Sequence, residues 1–130
     1  MNAPSSIDML HDWLIEAAET ERRLPAALPR YRGSWWPEAL PEWLSYPDEI
    51  AWVRLGSATS EQVTRYDTIA KQMINVQIDD RRLLWAVAHA GAFRRRGPSW
   101  AKVARYMHCD RRTAKKRYEE ALIHLWYAWS

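Results

Sequence analysis

The side chains of this chain best suited to chemistry are cations, gathered near its C-terminal end. Arg94, Arg95 and Arg96 form one run, and Arg111, Arg112, Lys115 and Lys116 form a second group within two helical turns. Guanidinium and ammonium groups at such spacing suit phosphate oxygens, because each neutralised phosphate releases condensed counterions. Ser99, Lys102 and Thr113 lie between or among them and join the candidate DNA contacts. Catalytic chemistry finds no comparable support. His11, His89, His108 and His124 show no metal-ligand spacing with carboxylates or with Cys109, the one cysteine. The pairs Asp48–Glu49, Asp79–Asp80 and Glu119–Glu120 are explained by helix starts or solvated faces. There is no G-x-S-x-G, Walker loop or glycine-rich phosphate cradle, and four glycines could not easily make one. No enzyme activity, metal or cofactor is expected.

The elements that must position the cations can be read from their flanks. Pro98 ends what precedes it, and Ser99 is a good N-cap for a short helix carrying Val103, Ala104 and Met107, with Trp100 one turn back. His108 and Cys109 break that period. Asp110 is a second N-cap, and Ala114, Tyr118, Ala121, Leu122, Leu125 and Trp129 make an apolar stripe along a longer helix. At about 100° per residue, Arg112, Lys115 and Lys116 fall off that stripe, near the helix start. Arg111 falls close to it, though at the first turn its long side chain can still reach outward. A short helix, a tight turn and a longer basic helix is the pattern of a helix-turn-helix. The N-terminal end of its second helix is where base edges are met.

The stretch SWAKVARYMHCDRRTAKKRYEEAL resembles region 4 of bacterial sigma factors and its helix-turn-helix relatives. That resemblance implies promoter contact by Arg111, Arg112, Lys115 and Lys116. His108 departs from it, standing where such turns usually place glycine; histidine is among the residues that tolerate left-handed φ. Cys109 takes the small apolar turn position and is expected to be a buried plug. The longer run from IEAAETERRLP through DDRRLLWAVAHAG to the motif is similar to a family of small, mostly prophage-encoded proteins of unknown function.

Charge sorts the chain into two regions. Residues 1–80 carry 7 basic and 13 acidic side chains, net −6, and residues 81–130 carry 12 basic and 3 acidic, net +9, which together give the +3 of the whole. An anionic half beside a cationic one concentrates attraction for polyanions on one side. The division expected is an acidic, Trp/Pro-rich helical region over 1–78 and a basic helix-turn-helix region over 79–130. A single cysteine fits a reducing, cytoplasmic setting. MNAPSSIDML lacks a secretory pattern and no stretch approaches 18 apolar residues, so neither secretion nor a membrane partner is expected.

In chain order, Ser5 or Ser6 can cap a first helix to about Leu24, with Ile7, Leu10, Leu14, Ala17, Ala18 and Glu21 on one stripe, Trp13 beside it, and Pro25 ending it. From there to Pro47 closely spaced prolines make a connector that holds Tyr31, Trp35, Trp36, Trp43 and Tyr46. Asp48 can cap a short turn through Trp52 and Leu55, closed by Gly56. Thr59 and Gln62 form a capping box before a helix from about Ser60 to Val76, with Val63, Tyr66, Ile69, Ala70, Met73 and Ile74 inward. Asp79 or Asp80 starts a supporting helix to Gly91, with Leu83, Leu84, Val87 and Ala88 inward and Trp85 and His89 off that face. No alternating strand pattern occurs, so the fold expected is all-α with five or six helices. Of nine tryptophans, Trp100, Trp126 and Trp129 belong to the motif's core. Trp35 and Trp36 are the candidates for a protein-partner contact, because prolines hold them in a non-helical segment.

These features point to a sequence-specific double-stranded DNA-binding protein, a small phage- or prophage-derived transcription regulator. The alternatives are the DNA-recognition subunit of a phage terminase, and a sigma-like module that binds RNA polymerase or another protein. RNA polymerase and a second copy of the chain are the protein partners this reading admits.

Overall fold

Side-chain caps start three of the helices, and in a computed structural model each falls where the sequence places it. The structure describes residues 3–24, 41–45 and 56–130. The Ser6 hydroxyl accepts the Met9 N–H at 3.1 Å and opens α1, Ile7–Arg23. Thr59 and Gln62 complete a reciprocal capping box, at 3.2 and 2.9 Å, ahead of α3, Ser60–Met73. A carboxylate oxygen of Asp110 accepts the Thr113 N–H at 2.7 Å and opens α6, Arg111–Ala128. Between these lie α2, the single turn Glu42–Ser45, then α4, Ile78–Gly91, and α5, Trp100–Met107. No strand occurs among the described residues, and the fold is all-α.

The chain is built around α4. Every residue from Leu83 to Gly91 is buried, because α1, α2, α5 and α6 all pack against this one helix. A helix covered on all sides has no outer face. That corrects the placing of Trp85 and His89 off the inner face: they are 2% and 6% exposed. The Trp85 ring lies edge-on to His89 at 4.8 Å and near Tyr66 of α3 at 6.4 Å. His89 Nε2 stands 3.6 Å from a carboxylate oxygen of the buried Glu21. Leu10, Leu14, Leu44, Ile69, Met73, Leu84, Val87, Val103 and Leu125 complete one core drawn from every helix. Each side chain of that size adds about 1.5–3 kcal/mol when fully buried. Outside the core, Arg65 of α3 grips Glu16 of α1 through two parallel hydrogen bonds of 2.6 and 3.1 Å.

Other local expectations shift. α3 stops at Met73 rather than Val76, so Ile74 turns outward, 51% exposed, and Val76 is buried in its place. α4 begins at Ile78 behind Gln77, which makes no side-chain cap, and Asp79 and Asp80 lie in its first turn. Ser99 occupies the N-cap position of α5, but its hydroxyl makes no cap bond. Ile7 is on the rim of its stripe and 36% exposed. Cys109 is only half-buried against the core, because the turn that carries it lies at the surface. Trp13, Trp43, Trp100, Trp126 and Trp129 all pack partly buried on the core. The expectations for Pro25, the 25–40 part of the connector with Trp35 and Trp36, Tyr46, Pro47 and the Asp48–Leu55 turn lie outside the described residues.

Candidate nucleic-acid interface

α5 and α6 are joined by a turn of three residues, His108, Cys109 and Asp110. His108 is left-handed, φ 56° and ψ 44°, and its N–H returns to the Ala104 carbonyl. The Cys109 N–H also reaches Ala104 O, at 3.1 Å, so the end of α5 is closed by local bonds. The chain then re-enters helix at Asp110. This carboxyl is held below its ordinary range, first by the Thr113 backbone N–H and then by the Thr113 hydroxyl. An anion therefore already occupies the N-terminus of α6. Contacts to phosphate here must come from side chains rather than from the helix end.

Those side chains are abundant. Ala114, Tyr118, Ala121, Leu122 and Leu125 bury one face of α6 against α4 and α5. Arg111, Arg112, Lys115 and Lys116 are all exposed, and so is Arg117, which the sequence reading omitted. The signal for Arg117 was available, since the basic run continues unbroken from Lys115 and the position lies off the stripe. Arg111 reaches solvent despite its angular position. Thr113 is half-buried and serves the cap. Lys102 is half-buried on α5; Arg105, one turn further, is exposed and was also missed, with its guanidinium 4.3 Å from the Trp43 ring centroid.

The arginine loop lies between α4 and α5. Arg94 turns back on it, with its Nε donating to the Gly97 carbonyl at 3.1 Å, while Arg95 and Arg96 stand exposed at the tip. Ser99 closes the loop with its backbone N–H on Ala90 O, at 3.2 Å. Pro98 at the loop's end and Lys115 of α6 line one open cavity of about 460 Å³ with Ile7, His11, Trp100 and Tyr118. The end of the loop at Pro98 and the second turn of α6 therefore border a common cleft. At its wall the Tyr118 hydroxyl meets His11 Nδ1 at 2.5 Å. Burial raises the Tyr118 pKa, with Asp12 adding to the effect, so the phenol stays protonated. Burial also lowers the His11 pKa, against the opposing pull of Asp12 and Asp8. Tyrosine thus donates and a neutral imidazole accepts. Among the described residues no group of three or more His, Cys, Asp or Glu could hold a metal ion, and no helix is long and apolar enough to cross a membrane.

A family model described as Domain of unknown function (DUF6362) matches residues 22–125, and the chain belongs to that family. No curated protein and no solved structure matches it.

Proposed function

We propose that this member of the DUF6362 family is a sequence-specific double-stranded DNA-binding protein of helix-turn-helix type, used in transcription regulation. The observation that carries the reading is the division of α6. Its apolar face is buried, while five consecutive or near-consecutive cations, Arg111, Arg112, Lys115, Lys116 and Arg117, are exposed over its first two turns. An α-helix presented this way fits the major groove, where arginine and lysine read guanine O6 and N7. α5 is the helix that braces α6, and the resemblance of the stretch SWAKVARYMHCDRRTAKKRYEEAL to region 4 of sigma factors supports the same reading. Arg95, Arg96 and Arg105, exposed on the loop and on α5, suit flanking phosphates.

Fluorescence anisotropy of a labelled duplex against salt tests this. With roughly five phosphates neutralised, log K falls with log salt at a slope of about −4 to −5. Duplex binding without salt dependence, or no binding, refutes the proposal. Occupancy mapped across the host genome then separates the uses: peaks at promoters support regulation, and a single peak at a DNA-packaging site moves the protein to terminase recognition.

A further inference from the structure

The short helix of the motif carries a cation that is held from far upstream in the chain. The holding residue is Trp43 of α2, and α2 is firmly seated. Leu44 beside it is 1% exposed, the Leu44 N–H bonds the Pro41 carbonyl at 3.1 Å, and the turn packs against both α4 and α5. The Trp43 ring itself rests partly buried on the core. The guanidinium carbon of Arg105 stands 4.3 Å from the centroid of that ring, inside the roughly 6 Å reach of a cation–π contact. An indole has no lone pair to take up the N–H donors of arginine, so the edge of the guanidinium stays able to bind phosphate. Among the described residues no hydrogen bond or ion pair engages that edge.

Arg105 is also at the end of α5 that leads into the basic helix. Ala101, Arg105 and His108 are exposed at i, i+4 and i+7, which is one face of the helix and its cap. His108 opens the three-residue turn, and α6 begins directly after it. From Ser99 to Arg117 the sequence has one carboxylate, Asp110, among seven lysines and arginines. Asp110 stays charged on the Thr113 N–H, and the cations around it still outnumber it.

We propose that Trp43 is a positioning residue of the DNA-binding surface. Its ring holds Arg105 so that the guanidinium edge meets a backbone phosphate beside the groove entered by α6. The inference rests on the duplex-DNA reading above. An arginine standing free gives up its rotamer freedom when it binds phosphate, and one already held on a ring has less to lose. The alternative is a packing role alone, in which Trp43 seals α2 against the core and Arg105 only covers its outer surface.

The test measures K for one random-sequence duplex across a salt series, with thermal melts alongside. The proteins are full-length wild type, Arg105→Gln, Trp43→Leu, Trp43→Phe and Arg105→Gln/Trp43→Leu. Arg105→Gln is expected to make the slope of log K against log salt shallower by about 0.9. Trp43→Leu leaves the charge in place and is expected to weaken binding by about 2–5-fold, but to add nothing in the Arg105→Gln background. Trp43→Phe, which keeps an aromatic face, should recover most of that loss. A wild-type slope in Arg105→Gln overturns the inference while leaving the DNA reading intact. So does a Trp43→Leu loss that is absent, equal in both backgrounds, or matched by Trp43→Phe. If Trp43→Leu does not fold, Trp43→Met takes its place in both backgrounds. Failure of the wild type itself to bind duplex removes both readings.

Discussion

Tyr118→Phe isolates one hydroxyl in the wall of the cleft. The ring itself is retained, 5.6 Å from both Trp100 and His11 in edge-on arrangements, so packing is preserved. What disappears is the 2.5 Å bond from a phenol 3% exposed to the His11 Nδ1. A neutral hydrogen bond contributes about 0.5–1.5 kcal/mol net, and an orphaned buried partner adds about 1–3 kcal/mol more. His11 is only half-buried and borders the open cavity, so water can satisfy its Nδ1 and the second cost falls away. The expected loss is about 1 kcal/mol, or roughly 3–5 °C in Tm for a chain of this length. The assay is a thermal melt near neutral pH for wild type, Tyr118→Phe, His11→Ala and the double variant. The cycle should give a coupling of about 1 kcal/mol between the two positions. DNA affinity should stay close to wild type, because no exposed cation is touched. A coupling indistinguishable from zero would falsify the donor–acceptor assignment.

Three further outcomes are expected. Arg112→Ala should weaken a preferred site by about 1–3 kcal/mol and random DNA by less, whereas Arg95→Ala should weaken both alike; competition anisotropy distinguishes them, and equal losses for Arg112→Ala place that residue on phosphate. His108→Gly should raise stability by roughly 0.5–1 kcal/mol, relief of a left-handed side chain outweighing the added freedom of glycine in the unfolded chain; an unchanged or lower Tm refutes it. Because burial depresses the folded His11 pKa, its contribution is whole above pH 6.5 and is lost as pH falls from there through the folded value. Asp8, Asp12, Tyr118, Lys115 and Glu119 face the same wall and are retained in His11→Gln, so urea unfolding should show a shallower acid-side decline in that variant; an identical decline assigns the effect to another group.

Features that depend on three or four neighbouring residues were legible in the sequence. The caps at Ser6, Thr59 and Asp110 and the left-handed His108 are local choices, so spacing and residue type sufficed. The basic face of α6 was legible for the same reason: its apolar stripe, once read, leaves the cations outward. Trp85 and His89 were not, because a helical wheel finds one apolar face and α4 is covered on every side. Ile74 was misplaced by a periodicity that ran past the end of its helix. The grip of Glu19, Arg22 and Arg23 on Phe93 joins residues some 70 positions apart in the chain. No local pattern announces such a contact, and Phe93 has nothing in its own neighbourhood to mark it as left-handed.

The burial of α4 on all sides also sets the order in which the nascent chain can become a protein. α1 ends at Arg23 and α4 at Gly91, and synthesis at roughly 5–20 residues per second separates them by about three to fourteen seconds. Throughout that interval α1 lacks one of the two helices it chiefly packs against, α3 being the other. α6, further along the chain, supplies Leu122 and Leu125 to the far side. A fragment that begins at α4 leaves open the side of α4 that α1 covers, and is expected not to fold as a free-standing unit.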